Sequence, residues 1–99
     1  RIRGALLAAP TDLEHPLPAG YPALDDLVAG GWTPIPRRRL AFPSIVVASD
    51  NDPLARLDRV EGFARDWGSE LVNAGAVGHL NPAAGFGDWP LAAELIRRL

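Results

Sequence analysis

The chain of 99 residues contains no cysteine, no lysine and no methionine. Without cysteine it can form no disulfide bond, no thiolate zinc site and no cysteine nucleophile. All ten basic residues are arginine, so a lysine Schiff base or a lysine general base is excluded within these residues. Cysteine and lysine chemistry is therefore excluded within these residues.

A surplus of positive charge and a long apolar run are also missing. The formal net charge is −2, whereas proteins that bind nucleic acid or anionic membranes carry a basic excess. No apolar run approaches the ~18 residues of a membrane span, and no signal peptide opens the sequence. We therefore expect a cytoplasmic protein with no nucleic-acid partner and no membrane partner.

The remaining composition is that of an ordinary folded domain. Apolar residues make up 47% of the chain and charged residues 22%, which argues against disorder. A chain of this length forms one small domain at most, or a part of a larger one. Because Arg1 opens directly into an apolar run, we expect part of the domain to precede it.

Short apolar runs predict three strands, Ile2–Ala8, Ser44–Ala48 and Glu70–Asn73. Apolar residues three and four positions apart predict helices over residues 56–67 and 89–98. Strands that alternate with helices are typical of an α/β fold, in which helices cover a parallel sheet. Two tryptophans at the ends of the predicted helices are expected to be largely buried: Trp67 and Trp89.

The connection over residues 10–43 contains seven prolines, which limits regular structure to a helical turn over Ala23–Ala29. The run Arg37–Arg39 is interpreted as a solvated loop, with a site for an anionic group as the alternative. Three further polar side chains of this connection are expected to face solvent: Asp12, Glu14 and His15.

Polar residues follow two of the predicted strands at the point where each strand ends. Asp50 and Asp52 follow Ser44–Ala48, and His79 follows Glu70–Asn73. If these strands are parallel neighbours about 4.8 Å apart, their carboxyl ends lie side by side. The two loops can then bring an aspartate into hydrogen-bond contact with the histidine. Such an aspartate would fix the histidine tautomer and leave the other ring nitrogen as a general base.

The same residues also fit structural interpretations. Asp52 before Pro53 is typical of a turn, or of a helix N-cap with proline in the first helical position. On spacing alone that interpretation is the more common one, and a loop histidine is more often structural than catalytic. A metal site built from Asp50, Asp52 and His79 is a weaker alternative. A calcium loop is disfavoured, because the alternating oxygen ligands and the terminal glutamate are missing.

Three stretches carry a resemblance to a known family. They are the strand and turn Phe42–Pro53, the segment Gly75–Asn81 with its Gly-His-Leu-Asn, and the Gly-x-Gly-x-Trp-Pro of Gly85–Pro90, and a fourth, shorter stretch, Trp67–Val72, adds to them. Together they resemble the YdeN-like and retinoblastoma-binding-protein-9-like serine hydrolases of the α/β-hydrolase superfamily. The resemblance runs from Arg1 to Leu99 and is strongest from Phe42 onward.

The resemblance implies a hydrolase with a Ser–Asp–His triad, a small ester or other acyl substrate and no cofactor. By motif position it gives Asp52 the role of the acid and His79 the role of the base. Asp50 matches the acid position less well, because in this motif the aspartate directly before the proline takes the role.

The sequence departs from the family pattern at the nucleophile. The family carries its serine on a Gly-x-Ser-x-Gly turn, and none of Ser44, Ser49 and Ser69 has that setting. The resemblance therefore implies that residues 1–99 are the C-terminal, acid–base half of the fold, with the nucleophile and oxyanion donors upstream. We expect this chain alone to be inactive and its exposed sheet edge to favour self-association.

Two functions remain open at this point. The first is a serine hydrolase of esterase type, in which this chain contributes the acid and the base. The second is a non-catalytic protein-interaction module on the same fold, since a fold does not determine a function.

Overall fold

The computed structural model describes residues 3–80 and 90–99. Within them, three strands form one parallel sheet in the order β1–β2–β3: β1 (Ala5–Ala8), β2 (Ser44–Ala48) and β3 (Glu70–Asn73). Ala5 pairs with Ser44, and Ile45 pairs with Glu70. The predicted parallel α/β sheet is confirmed.

The first strand is shorter than the sequence predicts. It begins at Ala5, whose N–H donates to the Pro43 carbonyl at 3.0 Å. Pro43 lacks a backbone N–H and cannot donate a hydrogen bond back to the first strand. The ladder of hydrogen bonds therefore cannot continue toward Arg3. Ile2, where the predicted strand begins, lies outside the described residues.

β2 is the central strand of the described sheet, and all five of its residues are buried. Its side chains alternate between two apolar clusters on opposite faces. Val46 and Ala48 belong to one cluster, and Ile45 and Val47 to the other. The continuous apolarity of this run, without polar alternation, is what a strand covered on both faces requires.

The helices are α1 (Leu24–Ala29), α2 (Leu57–Trp67) and α3 (Pro90–Arg97). On one face of the sheet, α2 packs Val60 and Ala64 against the cluster of Val46. On the opposite face, α3 packs the buried Leu95 against Ile45 and Val47. Both predicted helices are confirmed to within two residues at each end.

Trp67 is of intermediate exposure and packs against the apolar cluster of Val46. It is stacked on the fully buried Phe63 with ring centroids 5.4 Å apart. Its indole N–H donates to the Pro36 carbonyl at 2.7 Å. The outer face of the ring stays open because it lies at the last turn of α2. Trp89 lies outside the described residues.

The expectation that Asp12 is solvated is wrong, and Glu14 is only partly exposed. The connection after β1 folds back over α2, where Asp12 is 1% exposed and Arg59 pairs with its carboxylate. Glu14 accepts hydrogen bonds from Arg59, from Arg37 and from the Ile35 N–H. The prolines of this connection limit its regular structure to α1, and its irregular first part lies against α2, where its acidic residues find their partners.

Arg37 is not simply solvated either. It donates to Asp66 as well as Glu14, and its guanidinium lies 4.5 Å from the centre of the Phe63 ring. His15 is exposed, as expected. In the part of the chain that the structure describes, no helix is long and apolar enough to cross a membrane.

Candidate active site

The loops that follow β2 and β3 meet at the carboxyl-terminal edge of the sheet. The two strands are parallel neighbours with Ala48 opposite Asn73, and the Ala74 N–H donates to the Ala48 carbonyl at 2.9 Å. Just beyond, the Asp50 N–H donates to the Gly75 carbonyl at 2.8 Å. The loop after β2 is thus bonded directly to the loop after β3.

This edge brings Asp52 and His79 together. The Nδ1 atom of His79 lies 2.9 Å from Oδ2 and 3.0 Å from Oδ1 of Asp52. The Asp52 side chain is 2% exposed, whereas that of His79 is 24% exposed. The aspartate is therefore enclosed, and the imidazole reaches from it toward the surface.

The contact determines the tautomer of the neutral ring. A carboxylate can only accept, so Nδ1 carries the proton and Nε2 is left with its lone pair. Such a histidine is able to take a proton at Nε2, and the imidazolium that forms lies directly against the negative charge of Asp52.

A local turn fixes the orientation of Asp52. Its Oδ1 accepts the N–H of Leu54 at 2.9 Å, the arrangement of an Asx turn. The turn interpretation of the sequence is therefore correct, and it is compatible with the contact to His79. The N-cap interpretation is wrong, because the residue that caps α2 is Arg56.

The segment before His79 turns sharply. Gly75 and Gly78 have φ values of 85° and 63°, a left-handed region that residues with a Cβ rarely adopt. The two glycines therefore allow the tight turn that leads to His79.

Two residues that sequence reasoning did not single out bind this turn. The Ser49 hydroxyl lies 3.1 Å from the Val77 nitrogen, and the Asn51 Oδ1 lies 2.8 Å from the Gly78 nitrogen. The signal was available, because short polar side chains after a strand commonly accept backbone N–H groups. The residues that they would bind could not be read from local sequence.

Asp50 does not join the pair. Its Oδ1 accepts from the Asn73 side-chain amide at 2.9 Å, and it makes no contact with His79 among the described residues. No group of three or more histidine or acidic side chains suited to a metal ion occurs in residues 3–80 and 90–99.

Each serine hydroxyl is engaged away from His79. Ser44 and Ser69 share a hydrogen bond of 2.6 Å. Ser49 donates to Asn51 Oδ1 at 3.0 Å and accepts from Val77. None of the three serines is placed to lose a proton to the imidazole.

Comparisons with known proteins agree with this architecture. The sequence model of the family described as serine hydrolase matches residues 1–98. A crystal structure of a protein described as a YdeN-like hydrolase, from Pectobacterium atrosepticum, superimposes with a TM-score of 0.71 at 34% sequence identity. The match covers 96% of this chain and 44% of that one. The search of curated protein sequences finds no match.

The parallel sheet with helices on both faces, together with its likeness to the solved hydrolase, is that of a hydrolase fold of the α/β type. The chain belongs to the serine hydrolase family. It spans 44% of the length of the solved relative.

Proposed function

We propose that this chain supplies the acid and the base of a serine hydrolase of esterase type. His79 is the general base and Asp52 is the acid that orients it. The observation that carries the proposal is the pairing of a buried carboxylate with one nitrogen of a partly exposed imidazole.

We further propose that the nucleophile is a serine outside these 99 residues. The hydroxyls of Ser44, Ser49 and Ser69 are bonded to other groups, and none stands in a Gly-x-Ser-x-Gly turn. The share of the solved relative that this chain leaves unmatched is large enough to hold a strand and such a turn.

The proposed reaction follows from the proton positions. Nε2 of His79 takes the hydroxyl proton of the serine as its oxygen bonds to the acyl carbon. The imidazolium then returns this proton to the leaving alkoxide, and an acyl-enzyme forms. A water molecule, deprotonated in turn by Nε2, bonds to the acyl carbon; the bond to the serine oxygen breaks, the imidazolium returns its proton to that oxygen, and the carboxylic acid leaves. Asp52 stays ionised throughout.

The two histidines of the chain provide a matched test. In the complete translation product that contains these residues, His79→Ala is expected to lower the kcat for p-nitrophenyl acetate by at least ~10³-fold. His15→Ala, which removes an exposed histidine of the proline-rich connection, is expected to leave the kcat within about threefold.

Equal rates for the two variants would overturn the proposed function. A complete product with no hydrolytic activity and an intact fold would favour the alternative, a non-catalytic interaction module.

The 99-residue chain by itself is proposed to be inactive and to associate through β1. Among the described strands, β1 pairs only with β2, and a cavity of about 600 Å³ lies beside it, bordered by Leu6 and Ile96. An unpaired strand edge next to apolar surface favours pairing with another chain. Light scattering that shows a stable monomer would contradict the association, and ester turnover lost on His79→Ala would contradict the inactivity.

A further inference from the structure

The turn that carries His79 has backbone N–H groups that the sheet does not bind. β3 ends at Asn73, and the Ala74 N–H makes the last hydrogen bond that continues the ladder between β3 and β2. The amides of residues 77 and 78 therefore need other acceptors. The loop after β2 supplies one acceptor for each amide: Ser49 for Val77, whose N–H also lies 3.0 Å from the Gly75 carbonyl, and Asn51 for Gly78.

These acceptors form one linked unit. The Ser49 hydroxyl accepts the Val77 N–H and donates its own proton to the Asn51 Oδ1 at 3.0 Å. The same Oδ1 accepts the Gly78 N–H at 2.8 Å. Ser49 is 3% exposed, so its hydroxyl is held among fixed neighbours. Asn51 is exposed and contributes nothing to the apolar core.

The residues of this unit lie just before Asp52 and His79 in the chain and so connect the two segments that carry them. Asn51 directly precedes Asp52, and Gly78 directly precedes His79. A bond between Asn51 and Gly78 therefore fixes the separation of the two backbones that present the carboxylate and the imidazole. The hydrogen bond between Asp52 and Nδ1 of His79 joins the same two segments a second time.

We propose that Ser49 and Asn51 are positioning residues for His79. They hold the turn over residues 77–78 so that Nδ1 faces Asp52 and Nε2 faces the nucleophile. This inference rests on the proposed function. Displacement of a reacting group by about 1 Å costs on the order of 10²-fold in rate, so an exposed side chain that sets this distance affects turnover far more than folding.

The test uses Asn51→Ala in the complete translation product, with p-nitrophenyl acetate as substrate. We expect the kcat to fall by about 10- to 100-fold with little change in KM. We also expect the downfield Nδ1 proton resonance of His79 to broaden or disappear, because the ring is no longer held against Asp52. The melting temperature should change little, since Asn51 is exposed.

Asn51→Asp tests the reason for the loss. The oxygen of Asn51 acts as an acceptor toward Ser49 and Gly78, and a carboxylate oxygen accepts in the same way. The plateau kcat from a full pH profile should therefore stay within about threefold of wild type. The plateau is the correct measure, because the added charge can shift the pH dependence itself.

Asn73→Ala is the matched control at the same edge. Its side chain bonds to Asp50 and to the Gly75 N–H and makes no hydrogen bond to residues 77 and 78. We expect its kcat to remain within about threefold of wild type. A wild-type kcat for Asn51→Ala, or equal losses for Asn51→Ala and Asn51→Asp, would overturn the inference.

The outcomes separate the two proposals. If His79→Ala leaves hydrolysis unchanged, the proposed function fails. If His79→Ala abolishes hydrolysis while Asn51→Ala does not impair it, the positioning role alone is wrong.

Discussion

Arg59 holds the carboxylate of Asp12 with two nitrogens, Nε at 2.8 Å from Oδ2 and Nη2 at 3.1 Å from Oδ1. This ion pair fastens the connection after β1 to α2. It also reaches the candidate active site, because the Asp12 N–H donates to the Leu54 carbonyl at 3.0 Å. The Leu54 N–H in turn donates to Asp52.

The two members of this ion pair are not equally replaceable. Arg59→Leu leaves the buried Asp12 carboxylate without its cation and is expected to cost about 3 kcal/mol of unfolding free energy. Asp12→Asn leaves Arg59 partly exposed and still paired with Glu14, so its cost is expected to be about 1 kcal/mol. Urea denaturation of both variants measures the difference. Equal costs would show that burial of Asp12 does not dominate the energetics of this ion pair.

Acid stability depends on Glu14. Its carboxylate accepts the Ile35 N–H and a hydrogen bond from Arg37, which lower its pKa from 4.5 to about 2. A folded-state pKa below the unfolded value means that stabilisation is complete above about pH 4.5 and is lost as the pH falls toward 2. Glu14→Gln should therefore be less stable than wild type at neutral pH, and the difference should shrink across this interval.

Thermal melts over a pH series test the role of Glu14, with Glu61→Gln, at an exposed position of α2, as the matched control. A difference between wild type and Glu14→Gln that stays constant down to pH 2 would contradict the argument.

The two aspartates that flank Asn51 differ in their expected effect on catalysis. Asp52→Asn preserves the shape of the side chain but removes the anion that faces Nδ1, and it should lower the kcat by about 10⁴-fold. Asp50→Asn changes a residue that bonds to Asn73 rather than His79, and a loss below about tenfold is expected. Steady-state kinetics on the complete translation product compare them. A larger loss at Asp50 would reverse the assignment of the acid.

The aromatic pair on α2 differs in burial. Phe63 is 0% exposed, so Phe63→Ala should cost about 3–5 kcal/mol of unfolding free energy. Trp67 is partly exposed, and Trp67→Ala should cost about 2 kcal/mol through lost stacking and the lost bond to Pro36. Denaturant melts followed by far-UV circular dichroism check this order. A larger loss for Trp67 would show that the indole anchors the connection more strongly than its burial suggests.

The elements with regular periodicity could be predicted from the sequence. The β-branched run of β2 and the apolar spacing of α2 are properties of neighbouring residues, and burial selects both patterns. The contact of Asp52 with His79 could be predicted because parallel neighbouring strands bring their carboxyl ends together. The prediction of the site thus depended on the correct assignment of β2 and β3 as strands.

The interactions of the proline-rich connection could not be predicted in the same way. Asp12 stands in a segment without periodicity, and its partner Arg59 is 47 residues further along the chain. Nothing local distinguishes an aspartate that will be buried against an arginine from one that stays in water. The acceptor role of Asn51 was hidden for the same reason, since Gly78 becomes its neighbour only when β2 and β3 pair.

The long connection between β1 and β2 has a consequence for the order of folding. β2 and β3 are joined through α2 alone, whereas β1 must wait for the whole of residues 9–43 to be closed. Longer loops cost more chain entropy on closure, and contacts between distant residues form later. We therefore expect the β2–α2–β3 unit to assemble first and β1 to dock onto it last. In hydrogen exchange, the amides of β1 should open more readily than those of β2, although the two strands share one ladder of hydrogen bonds.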